Sequence, residues 1–108
     1  MMSWAKHAIE GLRQGKTVQV RPRGNSMKGR VESGSLVTIA PCEASSLSVD
    51  DIVLVRVGGN DYLHLIKAIQ PGDVLGNGLR FQIGNNRGRI NGWVGPNSIY
   101  GKATRIEP

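Results

Sequence analysis

Read from its amino terminus, the chain first repeats apolar residues at helical spacing. Ala5, Ala8, Ile9 and Leu12 stand at i, i+3, i+4 and i+7, which puts them on one side of a short helix ending near Gly15. The stripe is short and half alanine, so it predicts a helix packed on the body of the protein in preference to one lying on a membrane surface. From Thr17 onward the pattern changes. Runs rich in Val, Ile, Leu and Tyr at 17–20, 36–40, 52–57, 62–69, 79–83 and 99–106 are separated by turn-forming residues, as in strands joined by turns. Gly58-Gly59-Asn60-Asp61 joins two runs at hairpin length, and Pro71-Gly72-Asp73 followed by Gly76-Asn77-Gly78 supplies further turns. The expectation is a mostly β fold built from an antiparallel, meandering sheet with a short N-terminal helix. Residues 1–16 form the helical segment and 17–108 the β portion of a single domain.

Composition narrows this picture. With 108 residues there is room for one core. Fifteen glycines and five prolines suit a turn-rich β domain, and 39% hydrophobic residues argue against disorder. A membrane-crossing helix needs about 18 consecutive apolar residues, whereas the apolar run at 52–57 already contains Arg56. Lys6, His7 and Glu10 occupy the place where an export signal needs its apolar core. The expected setting is therefore cytoplasmic, without a transmembrane anchor, although peripheral membrane association stays open. Cys42 is the only cysteine, which excludes an internal disulfide framework and a paired-cysteine zinc site.

The net charge of +6 raises nucleic acid as a partner. Arg21, Arg23, Lys28 and Arg30 lie close together, but no aromatic residues alternate with them to stack bases. Nucleic acid is accordingly disfavoured. Gly15-Lys16-Thr17 resembles the end of a phosphate-binding loop, yet the earlier glycine such a loop needs is replaced by Glu10, and a β-prone stretch follows. His7, His64 and Cys42 are too scattered to form a metal site. No metal and no cofactor is expected.

One segment stands apart: Arg21-Pro22-Arg23-Gly24-Asn25-Ser26-Met27-Lys28-Gly29, placed between two predicted strands. A serine in a glycine-bordered turn can project its hydroxyl outward, while neighbouring backbone amides are free to face a developing oxyanion. An ordinary surface turn has the same local appearance, so the remaining chain must decide.

Gly24-Asn25-Ser26-Met27, Gly34-Ser35-Leu36-Val37, Asp50-Asp51-Ile52-Val53-Leu54-Val55, Tyr62-Leu63-His64-Leu65-Ile66-Lys67, Ile83-Gly84-Asn85-Asn86-Arg87 and Ile99-Tyr100-Gly101-Lys102-Ala103 follow one another in order. This series, covering 20–106, resembles the sequence boxes of the signal peptidase and LexA-like serine peptidase superfamily. The resemblance implies a fold of antiparallel coiled sheets, with Ser26 as nucleophile and the amides of Asn25 and Ser26 as the oxyanion site. Where the superfamily commonly has a lysine base, the matching position is His64. That makes the chain look most like the histidine-type signal peptidases. Lys67 is the competing base. Three residues apart on one strand, His64 and Lys67 face opposite sides, so only one can serve Ser26, and His64 is preferred.

The chain also departs from the superfamily pattern. Gly29 replaces the usual proline after Ser-Met and one residue, implying a looser turn. Ser35 and Asn85 replace two common aspartates, and Asn91 stands where histidine-type enzymes carry an assisting acid. Asn85 or Asn91 could instead orient His64 through a neutral hydrogen bond. Glu10-Gly11, Gln14-Gly15 and Arg23-Gly24 do not resemble the self-cleavage sites of LexA-like repressors, so the expected substrate is another polypeptide. The competing expectation is a catalytically weak or inactive module of the same fold that binds a protein partner, with a homodimer left open.

Overall fold

The computed structural model describes residues 4–72 and 78–108. The turns expected at Asp73 and Gly76-Asn77 fall outside the described residues. The N-terminal stripe forms α1 (Lys6–Arg13), whose Ala8, Ile9 and Leu12 are buried, with Ala5 buried just ahead of it. Gly101 allows this helix to lie close to the sheet. A Cβ at Gly101 would stand 3.0 Å from Leu12 Cδ2 and 2.7 Å from the Ala40 carbonyl oxygen, so a side chain there would push helix and sheet apart.

The fold is mostly β. Its strands are β1 (Val18–Val20), β2 (Leu36–Ala40), β3 (Ile52–Val57), β4 (Asn60–Pro71), β5 (Leu79–Gly84), β6 (Ile90–Val94) and β7 (Ile99–Glu107). Single 3-10 turns at Ala44–Ser46 and Pro96–Ser98 join β2 to β3 and β6 to β7. Together they form one seven-stranded sheet in the order β1-β2-β7-β3-β4-β5-β6, with every neighbouring pair antiparallel. Most expected strand runs reappear within a residue or two, while β6 is an additional strand.

The centre of the sheet is covered on both faces. On β3, Ile52 and Leu54 join a cluster with α1, Val37 and Leu65, whereas Val53 and Val55 face a second cluster containing Ile66, Phe81 and Ile83. Successive strand residues point to opposite faces, so a strand buried on both sides reads as the unbroken apolar run Ile52-Val53-Leu54-Val55. Each buried aliphatic side chain of this kind contributes about 1.5–3 kcal/mol, which makes the β3–β4 hairpin a firm base for whatever it carries.

Irregularities shape the ladder. The register shifts between Ile66 and Ala68, leaving Lys67 as the extra residue opposite β5. Further shifts occur between Ile83 and Gly84 and between Leu54 and Val55. Bulges of this kind bend a strand and re-aim side chains. Asp50 takes φ +76° just before β3, and its amide donates to the Ile66 carbonyl while Arg30 bonds its own carbonyl.

Candidate functional site

Ser26 lies in the connection between β1 and β2. Met27 and Val31 are buried in the first apolar cluster and act as anchors for this turn, leaving Ser26 on the exposed side. The amides of Arg30 and Val31 both donate to the Met27 carbonyl, and the Lys28 amide donates to that of Asn25. Gly29 does not loosen the turn. It has φ +95°, a left-handed conformation closed to proline, and its amide donates to Glu32 Oε2 at 2.8 Å, a bond proline could not make.

The connection between β5 and β6 grips the same turn from the other side. The Asn86 amide donates to the Ser26 carbonyl at 3.0 Å, and Asn86 Nδ2 donates to the Lys28 carbonyl at 2.8 Å. Asn86 thus bridges two carbonyls of the Ser26 turn. Asn85 serves its own connection: its buried Oδ1 accepts from the amides of Arg87 and Arg89 at 2.8 and 3.0 Å.

His64 is held in a different manner. It lies on β4 opposite Val53, is 5% exposed, and stacks against Tyr62 with ring centroids 4.7 Å apart at 26°. Its Nε2 is 3.2 Å from Ser26 Oγ, and its Nδ1 is 2.7 Å from Asn91 Oδ1. An amide oxygen only accepts hydrogen bonds, so Nδ1 carries the proton and Nε2 presents its lone pair to the serine hydroxyl. Burial pulls the His64 pKa below the ordinary 6.5; the Asn91 bond opposes this shift and nearby Arg89 adds to it. The ring is consequently neutral near pH 7 and able to accept a proton.

The sequence candidates therefore separate in space. Ser26, His64 and Asn91 form a continuous hydrogen-bonded chain. Lys67 makes no hydrogen bond to Ser26, and its stem lies over Gly84, where a Cβ would meet its Cγ at 3.0 Å. Asn85 makes no bond to His64 and is committed to the loop amides. The amides of Asn25 and Ser26 donate to no other described residue.

Two participants had no assigned role in the sequence reading, Tyr62 and Asn86. Tyr62 stands two residues before His64 on the same strand, so period-two alternation was available as a signal. Asn86 offered only a weaker one, as part of an Asn-Asn-Arg-Gly turn.

A groove of about 410 Å³ opens beside the pair. Met27, Val31 and Leu63 give it an apolar side, while Arg21, Arg23 and Glu32 bring charge. Cys42 lies elsewhere, half-buried, and burial raises its thiol pKa against the opposing influence of Lys102. Among the described residues no three His, Cys, Asp or Glu side chains come together as a metal-ligand set. Likewise, no described helix is long and apolar enough to cross a membrane. Comparisons with family models, with curated proteins and with solved structures found no match.

Proposed function

We propose that this domain is a serine endopeptidase of the signal peptidase and LexA-like type, acting on another polypeptide through Ser26 and His64. The observation that carries this reading is the hydrogen-bonded chain from Ser26 Oγ to His64 Nε2 and from His64 Nδ1 to Asn91 Oδ1, at 3.2 and 2.7 Å. A nucleophile, a base and a group orienting that base are the functional parts of hydroxyl-based acyl transfer.

In the proposed reaction, Ser26 Oγ attacks the scissile carbonyl carbon as its proton passes to His64 Nε2. The amides of Asn25 and Ser26 receive the oxyanion, where preorganised donors are worth more than in water. His64 then protonates the leaving amine as the C–N bond breaks, leaving an acyl ester on Ser26. Water, deprotonated by His64, attacks this ester; Ser26 regains its proton and the acid is released. Throughout, Asn91 holds Nδ1–H and thereby fixes the productive tautomer.

A second reading, a catalytically weak or inactive module that binds a protein partner, is favoured by one feature. Asn91 is neutral and Arg89 opposes protonation of His64, so the imidazolium formed during the reaction lacks a compensating carboxylate. Fluorophosphonate labelling separates the two. The peptidase reading expects covalent labelling at Ser26 in the unmodified protein and none in Ser26→Ala, with strongly reduced labelling in His64→Ala. Absence of labelling in the unmodified protein, together with a stable homodimer or protein complex in sedimentation, would replace the first reading with the second.

A further inference from the structure

The charges around the Ser26–His64 pair are unevenly committed. Glu32 accepts the Gly29 amide at 2.8 Å, and Asp61 holds Arg56 through bonds of 2.8 and 3.1 Å. Both groove acids are thus engaged within the fold. Among the bases, Arg21 donates to the Gly34 carbonyl and Arg30 to that of Asp50. Arg23, Lys28, Arg87 and Arg89 are exposed, and their side chains make no hydrogen bond or ion pair with another described residue.

Of these four cations, Arg23 lines the groove and Arg89 acts on His64 at its end. Lys28 follows Ser26 by two residues, and its carbonyl is bonded to Asn86 in the β5–β6 connection, which also carries Arg87 and Arg89. Met27, Val31 and Leu63 give the groove an apolar surface beside the pair.

We infer that the groove takes an acidic polypeptide segment, with an apolar side chain against Met27, Val31 and Leu63, one carboxylate facing Arg23 and another at the His64 end facing Arg89. This assignment rests on the peptidase reading for its meaning as a substrate class. A polypeptide fits better than a nucleic acid because, among the described residues, Trp4 is the single exposed aromatic of the groove lining and the Tyr62 ring is stacked on His64, which is short of the succession of free aromatic faces that bind unpaired bases. Unpaired cations around a cleft speed encounter with an oppositely charged partner and select it over a like-charged one.

The test is fluorescence anisotropy with the full chain carrying Ser26→Ala, which binds without turnover. Three labelled probes are used: a peptide with an apolar centre and glutamate flanks, the same peptide with lysine flanks, and a single-stranded oligonucleotide. The glutamate peptide is expected to bind tightest, and its affinity to fall steeply as the Debye length shrinks from about 30 Å at 0.01 M salt to about 3 Å at 1 M. Arg23→Gln and Arg89→Gln, both on exposed side chains, are each expected to weaken it by about two- to fivefold. Equal binding of the two peptides, no binding of either, or tighter binding of the oligonucleotide would overturn the inference. Fluorophosphonate labelling of the unmodified protein is scored separately. Its failure removes the peptidase reading while leaving the peptide preference measurable, and an absent preference leaves the labelling result intact.

Discussion

The two halves of the candidate site are built by opposite means. Ser26 stands on an exposed turn anchored from beneath by Met27 and Val31 and tied from the side by Asn86, so hydrogen bonds largely set its position. His64 is embedded in β4, the partner of a strand buried on both faces, and packing sets its position. Hydrogen bonds on an exposed turn contribute little net stability, about 0.5–1.5 kcal/mol each, but they define geometry. Burial in a close-packed sheet contributes much more. Function and stability should therefore separate on the serine side and travel together on the histidine side.

The largest effect that sharpens this contrast comes from removing the two side chains proposed to react. Under the peptidase proposal, Ser26→Ala and His64→Ala should each reduce peptide hydrolysis by about three orders of magnitude or more. Their thermal melts should differ. Ser26→Ala, at an exposed position, is expected to change stability by no more than about 0.5 kcal/mol. His64→Ala opens a space beside Tyr62 and Asn91 and should cost about 2–4 kcal/mol, lowering Tm by roughly 10 °C or more. Equal melting temperatures for the two variants would break the comparison.

Next in size is the bridge between the halves. Asn86→Ala removes the Nδ2 bond to the Lys28 carbonyl but leaves the backbone bond to Ser26. Stability should fall by about 1 kcal/mol or less. Activity should fall by about tenfold or more, because displacement of a reacting group by about 1 Å is enough to reduce rate up to a hundredfold. The loss should lie in kcat. Gly29→Ala should act in the same direction, since φ is +95° there and an added Cβ would sit 3.2 Å from Asn86 Nδ2.

Much of the scaffold was readable because its apolar patterning is strong. The stripe at Ala5, Ala8, Ile9 and Leu12 specified α1, and the run Ile52-Val53-Leu54-Val55 specified the doubly covered strand. β6 escaped detection for a physical reason. Ile90-Asn91-Gly92-Trp93-Val94 places two poor strand formers at its centre, lies at the sheet edge, and has no fully buried position to impose alternation. The site was less legible, because Ser26 and His64 belong to separate elements and no local pattern reports which side chains meet across them. Asn85 and Asn91 were equivalent by residue type. What separates them is topology: Asn85 folds back onto the Arg87 and Arg89 amides, while Asn91 comes from β6 and points its oxygen at His64.

A smaller effect, in the gaining direction, should follow from replacing that orienting amide. Asn91→Asp keeps an acceptor near Nδ1 and adds the negative charge that an imidazolium lacks here. Activity should rise by about tenfold, and the apparent pKa of His64 should move upward. Imidazole resonances followed by NMR titration would report that movement independently of turnover. No upward movement would mean that the introduced carboxylate is directed away from the ring.

The smallest expected effect is in the unmodified protein's response to pH. Burial leaves the folded-state pKa of His64 below 6.5, so kcat/KM should rise with pH through a midpoint below that value as Nε2 becomes free to accept the Ser26 proton. The stability contribution of this group has a related window. As pH falls below 6.5, the unfolded chain takes up a proton at His64 before the folded chain does, so stability declines between 6.5 and the lower folded-state pKa. Above 6.5 the contribution is fully present. Comparing denaturant midpoints for the unmodified protein and His64→Gln across this interval isolates the term, and the difference should narrow as the solution becomes more acidic. The same scan on Ser26→Ala should follow the unmodified protein closely, because the exposed hydroxyl is a minor influence beside the burial that sets the imidazole's pKa. A widening gap for His64→Gln on acidification would place His64's folded-state pKa above the free value, and the buried, neutral base would then be the wrong description of this half of the site.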